Sequence, residues 1–185
     1  MGPELRDATG SDLPAITALY AREVEGGTAT FETAPPSPGE MAQRFAAVRG
    51  HALPWLVAEI DGVFAGYAYV SPFRPRPAYR YGVEVSIYIE DHARRRGVGR
   101  ALLEALIART RDRGLRHLIG AISDSDTSAA SIALHRALGF RNAGVYRQVG
   151  WKFGRWLDVT LMQLDLDPAG EPPQSSGLDL CGGLA

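Results

Sequence analysis

The residues best suited to chemistry lie mid-chain, where Glu84-Val85-Ser86-Ile87-Tyr88-Ile89 leads shortly into Arg94-Arg95-Arg96-Gly97-Val98-Gly99-Arg100-Ala101. Val83, Val85, Ile87 and Ile89 alternate with other residues, which predicts a strand. From Val98 the period changes. Val98, Ala101, Leu102, Ala105, Leu106 and Arg109 follow helical spacing, and Gly114 lies just beyond as a terminator. A glycine-containing turn thus opens a helix whose first N–H groups have no intrahelical acceptor, and such a terminus attracts anions. Glycines let the backbone come close to a phosphate, and the neighbouring arginines add charge-assisted bonds to its oxygens. Nucleotide motifs fit poorly. Leu102 stands where a dinucleotide fingerprint needs glycine, no Lys-Ser or Lys-Thr follows as in a P-loop, and the kinase motifs are missing. The plainer alternative is a glycine-softened turn before an amphipathic helix, with solvated arginines.

The elements that must position this turn are legible on both sides. Leu5–Ala8 is a short candidate strand. Ser11 caps a helix carrying Leu13, Ile16, Leu19 and Tyr20 on one face, with Pro14 in its tolerant first turn. Residues 26–32, including Phe31 and Glu32, form a loop, and Ser37-Pro38 opens a second helix with Met41, Phe45 and Val48 on one face. Trp55–Ile60 and Val63–Val70 are strands joined by Asp61-Gly62, a strong two-residue hairpin signal. Pro72, Pro75 and Pro77 break regular structure in a loop that also holds Phe73, Arg74, Arg76 and Tyr79. After the central helix come a strand from His117 to Ile122, a helix capped by Asp126 or Thr127 that carries His135, and strands at Val145–Val149 and Trp156–Leu166. The order β–α–α–β–β–β–α–β–α–β–β predicts a mixed α/β domain, although the pattern alone does not set the topology.

Composition narrows the classes. The 185 residues suit one domain with its own core, and a net charge of −1 points to neither nucleic acid nor an anionic membrane. The single cysteine, Cys181, excludes an internal disulfide and a cysteine-based zinc site, and near the chain end it is a poor nucleophile. No signal pattern and no apolar run of about 18 residues is present, so a cytoplasmic protein is expected. After Pro168 the chain turns rich in Gly, Pro and Ser. The expectation is a domain over residues 1–167 and a disordered tail over 168–185.

The pattern Arg94-x-x-Gly97-x-Gly99 between strand and helix resembles the acetyl-CoA pyrophosphate loop of the GNAT N-acetyltransferase superfamily, over roughly residues 4 to 167. More closely, the chain resembles the branch that acetylates phosphinothricin, methionine sulfoximine and methionine sulfone. Phe31-Glu32, Phe73-Arg74-x-Arg76-x-Ala78-Tyr79, Glu84 to Ile89, Ala129 to Phe140 and Gly150 to Trp156 match it in order. The resemblance implies a mixed, mostly antiparallel sheet flanked by helices, acetyl-CoA as co-substrate, no metal, a small-molecule amine as acceptor, and a homodimer as a plausible assembly.

It also implies roles. Glu84 matches the general base; the need is plain, because an α-amine is protonated at neutral pH and must lose a proton before attacking a thioester. His135 matches a second polar residue that would assist proton transfer or orient the cofactor; a structural histidine at a helix–sheet contact fits equally well. Ile87, Tyr88 and Ile89 would offer backbone groups to the pantetheine arm, and Tyr88 is either a proton donor to the leaving thiolate or a sheet aromatic. Arg94, Arg95, Arg96, Gly97, Val98, Gly99 and Arg100 would grip the diphosphate, with Ser128 and Ser131 beside the pantetheine. Ser128 departs from the asparagine usual there, and its shorter side chain puts that contact in doubt. Phe31, Glu32, Phe73, Arg74, Arg76, Tyr79, Val85 and Ser86 would meet the acceptor, the arginines by pairing a planar fork with two oxygens. Trp156 is expected in the core. Direct transfer from acetyl-CoA to the amine is the expected reaction. The alternatives are an acetyltransferase for another small amine, which the paired arginines make unlike a polyamine, and a non-catalytic CoA-binding sensor of the same fold.

Overall fold

The computed structural model describes residues 2–124, 128–167, 173 and 175–180. Seven strands form one sheet in the order β1-β2-β3-β4-β5-β7-β6. They are β1 (Glu4–Asp7), β2 (Trp55–Ile60), β3 (Val63–Pro72), β4 (Gly82–Ile89), β5 (His117–Ser123), β6 (Arg141–Lys152) and β7 (Arg155–Asp165). The helices are α1 (Leu13–Gly26), α2 (Pro38–Gly50), α3 (Val98–Asp112) and α4 (Ala129–Ala137). Every neighbouring pair is antiparallel except β4 with β5. The element order and the mostly antiparallel sheet agree with the expected fold.

Local chemistry explains the joints. Asp61 and Gly62 both take positive φ, 52° and 75°, the backbone that a two-residue hairpin needs. Ser37 caps α2 in a reciprocal box: its Oγ accepts from the Glu40 amide, and Glu40 accepts from the Ser37 amide. At α1 the expected cap moves by one residue. A single 3₁₀ turn over Gly10–Asp12 precedes the helix, and Asp12, not Ser11, takes the N-cap. Side-chain pairing fixes Asp12 there: its carboxylate accepts from Arg6 at 2.7 and 2.8 Å and from the Thr9 amide at 2.7 Å. Arg6 and the Thr9 amide hold its pKa down to about 2. The expected caps Asp126 and Thr127 lie outside the described residues, and α4 begins after Ser128.

The sheet is covered on both faces. On one face α1 and α2 bury an aromatic pile: Tyr20 meets Tyr88 edge-on at 5.3 Å, Tyr67 stacks on Tyr88 at 5.1 Å, and Trp55 stacks on Tyr69 at 4.1 Å. Such ring pairs add to plain area burial. On the other face α3 lies across β2, β3 and β4 and inserts Leu102, Leu103 and Leu106, all fully buried, while α4 packs on β5.

Part of the chain expected to be a disordered tail instead packs on the domain. Leu178 is buried and joins the core, Leu180 packs beside it, and the Leu178 amide donates to the Arg80 carbonyl at 2.9 Å. Two leucines in a Gly- and Ser-rich stretch supply apolar area that composition averages hide. Cys181 lies outside the described residues.

Candidate active site

The site begins where the sheet parts. β4 pairs with β5 only from Gly82 to Val85, opposite His117 to Gly120, yet β4 runs on to Ile89 and β5 to Ser123. Beyond Val85 the two strands diverge, so Ser86 to Ile89 pair with β3 alone and turn their other backbone edge to an open wedge. The wedge continues into a cleft of about 1580 Å³.

At one end of the cleft sits the turn before α3. Gly97 is the N-cap of α3 with φ 83°, a left-handed conformation that L side chains resist, and Arg95 also has positive φ at 59°. Open space surrounds Gly97, so its backbone conformation rather than crowding calls for glycine. Gly99 answers a different need: a Cβ there would lie 3.3 Å from Leu134 Cδ2, so its smallness lets α3 approach α4. The Ala101 amide bonds the Gly97 carbonyl at 3.0 Å, and the amides of the first turn before it have no intrahelical acceptor, at an end of the helix where Gly97, Gly99 and Arg100 border the cleft. Arg94, Arg95 and Arg100 are exposed and border the cleft; Arg94 also pairs with Asp91 at 3.0 Å, and Arg100 with Glu104 at 2.8 Å. The backbone shape and the positive charge fit a diphosphate. Arg96 is exposed away from the lining, and the Val98 side chain is buried, which leaves that residue only its backbone to offer.

The middle of the cleft holds the candidate proton-handling groups. Glu84 is half-buried on β4, opposite Ser71 of β3. Burial raises its pKa above the ordinary carboxylate value of 4.5, and the positive charge of Arg74 partly offsets the rise. Val85 and His135 face the other side of the sheet: a Cβ on Gly120 would lie 3.9 Å from Val85 Cγ1 and 3.2 Å from His135 Nε2. Glu84 and His135 therefore border one cleft from opposite faces of the sheet. The His135 ring is 2% exposed, packs edge-on to Phe140 at 4.8 Å, and places Nδ1 2.8 Å from the Ser131 carbonyl. Burial lowers its pKa, so the ring is neutral at pH 7, with Nδ1 donating and Nε2 carrying the lone pair. Tyr88 is buried in the aromatic pile, and desolvation raises its pKa well above 10, so it keeps its proton. Ile87 turns toward Gly99, and Ile89 packs against Gly66. Ser131 borders the cleft on α4. Ser128 also borders it, and its hydroxyl is engaged locally, donating to the Ser123 carbonyl at 2.7 Å.

The far end gathers only some of the acceptor residues. Phe31, Val85 and Ser86 line the cleft. Phe73, Arg74, Arg76 and Tyr79 stand on an exposed loop just outside it, with Arg74 5.1 Å above the Phe73 ring and Phe73 edge-on to Tyr79 at 5.6 Å. Glu32 does not border the cleft. Its carboxylate accepts from the Tyr20 hydroxyl at 2.8 Å and from Arg44 at 2.7 and 3.2 Å, which makes it a brace between α1 and α2.

Sequence reading missed the groups that hold the lip of the cleft. Lys152, 5% exposed, donates to the carbonyls of Gly27 at 2.8 Å and Thr30 at 2.9 Å. Asp124, buried at the end of β5, accepts from Thr28 and Arg155, while Ser123 donates to the Thr28 carbonyl. Gly150 leaves room for the Phe31 ring, which a Cβ there would overlap. Tyr20 and Tyr69 also line the cleft. Only the Gly150 to Trp156 match hinted at this region; contacts across more than 90 residues leave no periodic trace. Trp156, expected in the core, is 56% exposed and meets Trp151 at 5.1 Å.

A parted parallel strand pair above a glycine-capped helix defines a class of acyl-CoA-binding transferases, and comparisons with known proteins agree. Residues 5–161 match the acetyltransferase (GNAT) domain family. Phosphinothricin N-acetyltransferase of Alcaligenes faecalis is 51% identical over 163 residues, 88% of this chain and 82% of that protein. The L-methionine sulfoximine/L-methionine sulfone acetyltransferase of Pseudomonas paraeruginosa is 43% identical over 94% of this chain and all of its own length. The crystal structure of a GNAT superfamily phosphinothricin acetyltransferase from Sinorhizobium meliloti in complex with AcCoA superposes with a TM-score of 0.91 at 44% identity, covering 96% of each chain. The chain belongs to the GNAT acetyltransferase family. It is an N-acetyltransferase with acetyl-CoA as its acetyl donor. Among the described residues no group of three or more His, Cys, Asp or Glu is placed to hold a metal ion, and no helix is long and apolar enough to cross a membrane.

Proposed function

We propose that this enzyme acetylates the α-amine of phosphinothricin, methionine sulfoximine or methionine sulfone by direct transfer, with Glu84 as general base. One observation carries the reading: a half-buried carboxylate of raised pKa at the point where the strands part, with an arginine loop beside it. The two relatives named for these acceptors support the choice of substrate. Acetyl-CoA supplies the thioester carbon that the amine attacks, and CoA leaves as the thiol. The α3 turn holds the diphosphate, and the free edge of Ser86 to Ile89 orients the arm. Glu84 takes the proton of the ammonium group, a task its raised pKa favours over an ordinary surface carboxylate. Tyr88 borders the cleft and keeps its proton, which suits it to protonate the departing thiolate, and neutral His135 borders the α4 side with its Nδ1 bonded to the Ser131 carbonyl.

Arg74 serves the acceptor's anionic end. Arg74→Ala is expected to raise KM for phosphinothricin roughly tenfold, the scale of one lost charge-assisted contact. It also removes the cation that lowers the Glu84 pKa, so the acid limb of kcat/KM should move to higher pH. An unchanged KM and an unmoved limb would exclude both effects.

We also read the enzyme as a homodimer. β6 is an edge strand, and its hairpin with β7 exposes Tyr146, Val149, Trp151, Phe153 and Trp156, each 48–57% accessible. An apolar group of this kind on an edge strand suits a second copy. Trp151→Glu combined with Trp156→Glu should give a monomer by sedimentation, whereas an unchanged mass for both proteins would refute the assignment.

The whole reading is tested by following thiol release from acetyl-CoA across ordinary amino acids, their sulfone and sulfoximine forms, phosphinothricin and a polyamine. Turnover should be greatest for the glutamate-shaped analogues. Preference for a polyamine or an unmodified amino acid would replace the acceptor, and no turnover with any amine would favour a sensor.

A further inference from the structure

The acceptor loop runs from Phe73 to Arg80 between β3 and β4, and little within it fixes its course. Its start is tied by the Phe73 amide to the Gly82 carbonyl at 3.2 Å, and its middle by a single 3₁₀ turn at Pro77–Tyr79. Residues Arg74 to Arg80 are all exposed. The returning limb, however, is clamped by the far end of the chain. The Leu178 amide donates to the Arg80 carbonyl at 2.9 Å, the Tyr81 hydroxyl donates to the Ser175 carbonyl at 3.0 Å, and the Ser175 hydroxyl donates to the Gly114 carbonyl at 3.0 Å. Leu178 is 3% exposed and belongs to the core. The fit at Gly177 is tight: its φ is 71°, and a Cβ there would stand 2.8 Å from the Arg80 carbonyl oxygen and 2.8 Å from Tyr81 Cε1. Only glycine allows the strap to lie this close, on both conformational and steric grounds.

We infer that residues 175–178 form a strap that positions the Phe73–Arg80 loop, with Gly177 and Leu178 as positioning residues for acceptor recognition. Among the described residues the strap's hydrogen bonds run to Arg80 and Tyr81 of the returning limb and to Gly114 beyond the C-terminal end of α3, and none runs to Arg94 to Arg100 or to α4. Its effect should therefore fall on the acceptor and spare the donor. The inference rests on the acceptor reading of Arg74, but the strap itself can be tested without it.

The test compares the full-length protein with Gly177→Val, Leu178→Ser and the conservative Leu178→Met. Two measurements are made: hydrogen exchange of peptides covering 73–81, and steady-state kinetics with phosphinothricin, methionine sulfone and acetyl-CoA. In Gly177→Val and Leu178→Ser, exchange should quicken in 73–81 and at the strap while the peptides of β2, β3 and α3 keep the wild-type rate. The KM for the acceptor should rise about five- to tenfold, with kcat and the KM for acetyl-CoA within about twofold. Leu178→Met should restore wild-type values. Unchanged exchange in 73–81, or faster exchange spread over the whole sheet, would overturn the strap, as would donor and acceptor KM rising together. If the wild-type enzyme turned over neither acceptor, the substrate proposal would fall, and the exchange pattern would still decide the strap.

Discussion

Glu84→Gln should fold as well as the wild type and lose most of its turnover, with kcat reduced about 10²- to 10⁴-fold, the range a positioned general base contributes. The stability half of this expectation follows from the direction of the pKa shift. Burial raises the Glu84 pKa in the folded protein, so folding favours its protonated form. That contribution is present at low pH and is lost as pH rises through the folded-state pKa; at pH 7 the ionised side chain is a cost to the fold. The neutral amide removes the cost. Thermal unfolding at pH 7 should then give an equal or higher Tm for the variant, with the difference vanishing in acid. Wild-type kcat/KM should rise with pH through an apparent pKa above 4.5, and that limb should be absent in the variant. A variant that retained its turnover would exclude Glu84 as the base, and one with a much lower Tm would make it a structural residue.

Gly97→Val carries the second large effect, and it should fall on the donor. A β-branched residue at φ 83° is a backbone outlier that costs about 1–2 kcal/mol or more, and the turn can escape it only by abandoning the conformation that presents the α3 amides. Since nothing crowds the position, steric clash adds little, and Gly97→Asn, which tolerates the left-handed region, should lie between the two. The KM for acetyl-CoA should rise roughly 10- to 100-fold, calorimetry with CoA should show the matching loss of affinity, and the KM for the acceptor should stay near its wild-type value. Equal CoA affinity in Gly97→Val and wild type would remove the turn from the donor site.

What could be read in the sequence was local. Asp61-Gly62 announced its hairpin, Ser37-Pro38 the start of α2, and the change of period between Ile89 and Val98 the strand–turn–helix at the centre. The order of elements followed from these. The sheet order did not, because β7 reaches β5 before β6 does, and no periodicity records which strand lies beside which. The site divides in the same way. Gly97, Gly99 and the arginines form one short motif, so they could be found together. Lys152 reaches Gly27 and Thr30, and Asp124 reaches Thr28, across most of the chain, and each alone looks like an ordinary polar residue. Glu32 misled for the opposite reason: it adjoins Phe31 in sequence, but its carboxylate is bound by Arg44 and Tyr20. His135, on α4, packs over Gly120 of β5, the strand next to Glu84's, and yet on the reverse side of the sheet, a distinction that depends on the pleat of β4 and the seat of α4.

The brevity of the β4–β5 pairing has a mechanical meaning. Four residues on each strand are all that joins β1-β2-β3-β4 to β5-β7-β6 within the sheet, so the domain is two panels sharing a short seam. A ligand lodged in the gap beyond the seam touches both panels and acts as a keystone. Its binding energy then adds directly to the cohesion of the folded molecule, and occupancy by the donor and resistance to unfolding become a single linked equilibrium.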